Sequence, residues 1–202
     1  MDGRIQEVIQ LEWELFDKVQ NCGGRAACQD DRETFAIMRG SQFAAWSPAL
    51  LKSYRGDLLA ARAEGRNPLC EKYAYMMERT APAEYAALRD ALPQPSVEKL
   101  WLADHICAAH VDWQEALARR WPRLAGRGRP IRREADGPGV TSFETYLRGE
   151  LLTYSVETLR LYAAWIEQLQ KGGRNLCELV LENTVRHYGY ATLEEAESRQ
   201  SV

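Results

Sequence analysis

The 202-residue sequence has no CxxC pair, and its five scattered cysteines, an odd number, fit neither a disulfide framework nor a structural zinc site. A reducing compartment fits better. No run of about 18 apolar residues occurs, so no membrane span is expected. The opening MDGRIQEVIQLEWELF carries acids inside its apolar stretch and lacks a small-residue cleavage site, which argues against a secretory leader. Histidine is scarce: His105, His110 and His187 only. No ExxH occurs, so the carboxylate di-iron signature is missing. His105 and His110 are five apart and diverge by about 140° on a helix, which makes a ligand set with Cys107 weak. Neither a metal nor an organic cofactor is expected. GxxxxGK[ST], GxGxxG and GxSxG are absent, which removes support for a P-loop, a dinucleotide fold or a nucleophile elbow. There is no basic excess, with 26 Lys plus Arg against 29 Asp plus Glu. With no RRM, KH or helix-turn-helix signal, nucleic acid is not an expected partner. A soluble cytoplasmic protein is the resulting expectation.

What is present is helical periodicity. Ile5, Val8, Ile9, Glu12, Phe16 and Val19 share one face, as do Leu51, Tyr54, Leu58 and Ala61. Leu69, Tyr73, Met76 and Met77 form another such face, and Val97, Leu100, Trp101, Asp104, Ala108 and Val111 a fourth. No stretch alternates as a strand does. Ser47-Pro48 and Asn67-Pro68 read as an N-cap followed by proline at the first helical position. Asn175 with Glu178, and Thr192 with Glu195, have capping-box spacing, and Gly65 and Gly172-Gly173 suit left-handed C′ positions. The pattern predicts an all-α fold of eight main helices and a short terminal one.

The chain also resembles itself. Laying residues 34–67 on 142–175 without a gap matches Phe35 with Phe143, Ser47 with Ser155, Leu51 with Leu159 and Tyr54 with Tyr162. The triplet Gly65-Arg66-Asn67 falls on Gly173-Arg174-Asn175, and Glu12-Trp13 resembles Asp112-Trp113. This predicts one compact domain over 1–202, made of two four-helix units, 1–92 and 93–192, related by a pseudo-two-fold.

Three segments could carry chemistry. Cys22 to Asp31 joins the first two helices. Its glycines permit a close backbone approach, Arg25 could fork onto an anion, Cys28 could be a nucleophile, and Gln29 and Asp30 could contact a substrate. A plain turn, with Asp30 and Glu33 as a capping box, explains it equally well. Pro122 to Val140 is long for a compact domain and carries Arg123, Arg127, Arg129, Arg132 and Arg133 against Glu134 and Asp136. It reads as an anion-binding loop or as a solvated basic one. The third segment is a pair of aromatic stripes, Phe35, Met38, Gln42 and Trp46 against Phe143, Tyr146, Glu150 and Tyr154. The repeat pairs Gln42 with Glu150, so each half places a polar residue inside an apolar face. A buried carboxylate must be paired or take up a proton. Glu150 is therefore a candidate general acid or base, or one partner of a buried ion pair with Arg25, Arg39 or Arg129. Tyr146 and Glu144 accompany it, and Glu144 and Arg148 at i,i+4 can pair. An aromatic-rich helix could also form a homodimer seam.

The strings GGRAACQDD, MRGSQFAAW, EKYAYMMERTAP, LAGRGRPI, TSFETYLRGELLTYSVETL and GRNLCELVLENTVRHYGYATLEEAE resemble the bacterial family called domain of unknown function 4125, over about residues 5–197. The resemblance implies a stand-alone bacterial protein of this size and supplies no activity. It also implies that Arg25–Asp31, Arg127–Pro130 and Glu144–Glu150 are characteristic of the family.

Two readings follow from the residues. In the first, a small cofactor-independent enzyme acts on an anionic metabolite, a carboxylate or phosphate. Arg25, Arg39, Arg127, Arg129 and Arg148 position it with Gln29, Asp30 and Gln42, and Glu150 serves as acid or base beside Tyr146, Glu144 and Cys28. Glu150→Gln then leaves the melting temperature nearly unchanged and removes function. In the second, the same arginines serve a binding or partner-docking module, and Glu150 is salt-bridged and sealed.

Overall fold

The computed structural model describes residues 2–20, 24–137 and 139–200. Among these it forms eleven α-helices and no strand, with one isolated bridge between Gly137 and Val140. The helices are α1 (Gly3–Phe16), α2 (Arg32–Ala44), α3 (Pro48–Ala63), α4 (Pro68–Thr80), α5 (Pro82–Leu88), α6 (Val97–Arg120), α7 (Pro122–Ala125), α8 (Phe143–Leu151), α9 (Val156–Lys171), α10 (Leu176–His187) and α11 (Leu193–Arg199).

Two more helices are present than the periodicity predicts. The additions, α5 and α7, are too short to show a period. Each begins at a proline that ends the helix before it. Ala81 (φ −152°, ψ 67°) and Trp121 (φ −128°, ψ 65°) are held outside the α region by Pro82 and Pro122, which then start new helices.

The local signals act as read elsewhere. Ser47 accepts from the Leu50 amide and Asn67 from those of Leu69 and Cys70. Asn175 accepts from Glu178, and Thr192 from Glu195. Each asparagine also donates backwards, Asn67 to the Leu15 carbonyl at 2.8 Å and Asn175 to that of Trp113 at 3.0 Å. One side chain thus caps a helix and ties its turn to α1 or to α6. Gly65 (φ 70°) and Gly173 (φ 64°) take the left-handed C′ positions of α3 and α9, whereas Gly172 does not. In both turns the amide two residues past the cap closes onto the carbonyl five residues before it: Arg66 to Ala61, and Arg174 to Leu169. The cap of α2 is one residue later than its capping-box spacing predicts. Asp31 accepts from Thr34, while Asp30 turns to Arg25.

The faces pack as the spacing requires. α1 buries Ile5, Val8, Ile9, Glu12, Leu15 and Phe16, and packs on α2, α3 and α4. α6 packs on α8, α9 and α10, while α3 meets α9, α4 meets α8 and α2 meets α10. Leu50, Leu58, Ile106, Leu151, Leu159 and Ile166 are fully buried, each stabilising the fold by about 1.5–3 kcal/mol. Trp46, Tyr54, Tyr154 and Tyr162 form an aromatic cluster in which the Tyr54 and Tyr154 rings lie 4.7 Å apart. α8 approaches α4 closely enough to require glycine. A Cβ on Gly149 would stand 2.8 Å from Met76 Cγ and 2.9 Å from the Lys72 carbonyl oxygen. Met38, expected on the buried stripe, is 48% exposed.

Candidate functional site

The close α4–α8 approach places the next residue, Glu150, against Lys72. Lys72 Nζ donates to Glu150 Oε2 at 2.6 Å, and both residues are buried. The other carboxylate oxygen accepts from Arg39 Nη1 at 3.1 Å and from the Tyr154 hydroxyl at 2.8 Å. Arg39 lies on α2 and spends the rest of its fork on Glu12 of α1, with Nε at 2.6 Å from Oε2 and Nη2 on Oε1. Tyr54 from α3 also donates to Glu12, and Gln42 accepts from Arg39 Nη1 at 2.8 Å. Four helices thus contribute a chain of alternating charge, Glu12, Arg39, Glu150 and Lys72, with two carboxylates matched by two cations. Beyond it, Lys72 Nζ lies 3.5 Å from the Tyr146 ring centre, and the Arg129 guanidinium lies 4.8 Å from the same centre.

The electrostatics follow from this arrangement. Burial raises the Glu150 pKa, but Arg39 and Lys72 outweigh it and hold the carboxyl well below the usual carboxylate range. Burial lowers those of Arg39 and Lys72, and their carboxylate partners more than restore them. Burial also pushes up the Tyr54 and Tyr154 hydroxyls, and the adjacent carboxylates add to it. Glu150 is accordingly an anion at neutral pH, with both oxygens engaged. The expected partnership with an arginine is present and is made by Arg39. Arg25 and Arg129 are not bonded to it.

A pocket of about 150 Å³ opens over this network. α2 lines it with Arg39 and Gln42, α6 with His110 and Gln114, α8 with Phe143, Tyr146, Leu147 and Glu150, α9 with Tyr162, and α10 with Leu176, Cys177 and Val180; Trp46 completes the wall. His110 Nδ1 lies 3.4 Å from Cys177 Sγ. Burial pushes the His110 pKa down to about 4 and the Cys177 thiol up to about 12, so both are neutral at pH 7.

The other expected site residues lie elsewhere. Glu144 and Arg148 do not pair: Arg133 takes Glu144, while Arg148 reaches Asp104 and Glu78. Glu144 and Arg148 both line a second, polar pocket of about 260 Å³ with Tyr75, Glu78, Arg79, Arg133, Thr145 and Gly149. Arg25 clips the α1–α2 connection, binding Asp17 at 2.6 Å, Asp30 at 2.7 Å and the Gln29 carbonyl. Gln29 is buried and donates to the Phe16 and Val19 carbonyls. Cys28 is exposed. Burial and Tyr146 push the Tyr73 hydroxyl up to about 12, with a smaller contribution from Cys28. Cys22 and Gly23 of that connection lie outside the described residues. Arg127 and Arg129 are exposed, and Arg129 also donates to the Thr141 carbonyl. The basic segment is stitched down: Arg132 binds Glu115, and Asp136 accepts from the Ser142 amide and the Thr145 hydroxyl at the start of α8. Among the described residues no group of three or more His, Cys, Asp or Glu could hold a metal ion. His105 stacks on exposed Trp101, away from His110.

Glu12, Tyr54, Lys72, His110 and Cys177 also belong to the site, beyond the residues that the sequence singles out for it. Glu12 and Lys72 each carried a signal, a charge at helical spacing within an apolar face.

The model of the family described as "Protein of unknown function (DUF4125)" matches residues 3–198, nearly the whole chain. The chain belongs to the DUF4125 family. Within this DUF4125 chain, the matched region takes in both the charge network and the pocket above it. No curated protein and no solved structure matches the chain. No helix among the described residues is long and apolar enough to cross a membrane.

Proposed function

We propose that the pocket over the Glu12–Arg39–Glu150–Lys72 network holds a small, uncharged molecule, and that binding is its primary role. The observation that carries this is the state of Glu150. A carboxylate fixed by Arg39, Lys72 and Tyr154 and held below the usual range is a poor proton donor and a weak base. It serves better as a rigid floor. The two cations of that floor are matched by two carboxylates, which leaves no net charge to draw an anion. The expectation of an anionic metabolite is thereby replaced by a neutral one.

Catalysis is a second reading favoured by one observation. His110 is a neutral imidazole on the pocket wall, and its Nε2 has no partner among the described residues. It would take the proton-accepting role first given to Glu150.

We also infer one domain with an internal repeat. The packing of α1 on α2, α3 and α4 parallels that of α6 on α8, α9 and α10, and the contacts α2·α10 and α4·α8 are counterparts. The twin Asn67 and Asn175 ties support the same correspondence. The pocket then draws on both halves, with Gln42 of the first and its counterpart Glu150 of the second on its wall.

The test is native mass spectrometry after incubation with a bacterial metabolite extract. The wild type should retain a small molecule that a pocket-filling Val180→Trp variant, confirmed folded, does not. Equal retention by both, or by neither, counts against the pocket. Conversion of the retained molecule would favour the second reading.

A further inference from the structure

His110, a residue of the pocket wall, has a ring nitrogen that no described residue pairs. His110 is 6% exposed, and its Nε2 is buried without a hydrogen bond to any described residue. Leaving such a group unpaired is unfavourable, because it has given up its hydrogen bonds to water. The other ring nitrogen is engaged, with Nδ1 at 3.4 Å from Cys177 Sγ. A neutral imidazole carries one proton. If the thiol donates to Nδ1, Nε2 is a donor; if Nδ1–H points at sulfur, Nε2 is an acceptor. A hydroxyl answers either tautomer because it both donates and accepts. A carboxylate only accepts, and it would share the pocket with the Glu150 anion. Four aromatic residues, Trp46, Phe143, Tyr146 and Tyr162, share the wall with the polar Gln42, Gln114 and Glu150, and the Phe143 and Tyr162 rings lie 6.4 Å and 5.6 Å from that of His110. Such faces suit a flat ring, and a cavity of about 150 Å³ is of the size that takes a single benzene-like ring.

We propose that the pocket binds a neutral, hydroxyl-bearing aromatic molecule, with its hydroxyl on His110 Nε2 and its ring among Trp46, Phe143, Tyr146 and Tyr162. This rests on reading the pocket as a small-molecule site. The test titrates the full chain with phenol, benzene, cyclohexanol and benzoate, followed by NMR shifts of pocket residues. Phenol should bind about tenfold tighter than benzene, the factor that one net hydrogen bond supplies. Cyclohexanol should bind more weakly than phenol, and benzoate should not compete. In His110→Phe the preference for phenol over benzene should vanish while benzene still binds. Equal binding of phenol and benzene by the wild type, or an undiminished preference in His110→Phe, overturns the His110 assignment and leaves the pocket standing. Binding of none of the four at the pocket overturns the pocket reading itself. Should His110→Phe fail to fold, the His110 ¹⁵Nε2 shift in the wild type decides. It should move with phenol and stay with benzene, and an unmoved shift at phenol saturation refutes the proposal.

Discussion

Glu150→Gln is the substitution whose expected outcome the structure changes most. The amide keeps the shape and can still accept from Arg39 and Tyr154 through one oxygen. Its NH2, however, faces Lys72 Nζ, 2.6 Å from the lost carboxylate oxygen, so a donor meets a donor. The network passes from balanced to one excess positive charge, and Lys72, 2% exposed, is shut off from bulk solvent. Breaking a buried pair from one side costs about 3–5 kcal/mol. At about 2–4 °C per kcal/mol for a chain of this size, the melting temperature should fall by roughly 6–20 °C. The sequence alone led to the opposite expectation, a variant with nearly unchanged stability. The assay is urea unfolding at pH 7 followed by circular dichroism, with Lys72→Met and the double variant completing a cycle. Lys72→Met/Glu150→Gln removes one charge of each sign and leaves Glu12 with Arg39, so it should recover at least about 2 kcal/mol over Glu150→Gln. A Glu150→Gln protein as stable as wild type, or single-variant losses that simply add, would refute the argument.

Gly149→Ala should lower stability by about 1–3 kcal/mol, because its Cβ meets the Lys72 carbonyl and Met76, and a smaller urea midpoint is the check. Asn67→Ala and Asn175→Ala each lose a cap and a tie between helices, so each should cost about 1–2 kcal/mol, and the two losses should add because the turns are separate. Acid should destabilise the fold in two stages. His110 has a folded pKa of about 4 against 6.5, so the unfolded chain takes up its proton first, and about 3 kcal/mol is lost as pH falls from 6.5 through 4. Glu150, whose folded pKa is depressed, adds its own loss as pH drops below 4.5. Urea midpoints measured between pH 7 and 4 should decline less in His110→Phe than in wild type, and an equal decline counts against the His110 assignment.

The parts legible in the sequence are those whose cause is local. Ser47-Pro48, Asn67-Pro68 and the Gly65 and Gly173 turns are decided within a few residues, and they stand where they were read. Glu150 was legible because a lone carboxylate in an aromatic stripe has few ways to exist. Its partners were not, since Glu12, Arg39 and Lys72 arrive from separate helices and only the packing of α4 on α8 brings them together. Arg25 looked available for a ligand because its acids, Asp17 and Asp30, flank a turn whose path the sequence does not disclose. Glu144 and Arg148 have the right spacing to pair, but stronger partners from the segment before α8, from α4 and from α6 take them first. The pocket was not legible at all, because its wall is drawn from five helices.

The central claim is that Glu150 is a permanently ionised floor to the pocket and not a proton donor. Its side-chain carboxyl ¹³C shift, followed by NMR in wild type and assigned by its loss in Glu150→Gln, measures this directly. The shift should stay at the carboxylate value from pH 7 to below 4.5, until the protein itself unfolds in acid. A titration at or above 4.5 in the folded protein would contradict the account and return Glu150 to the role of acid or base.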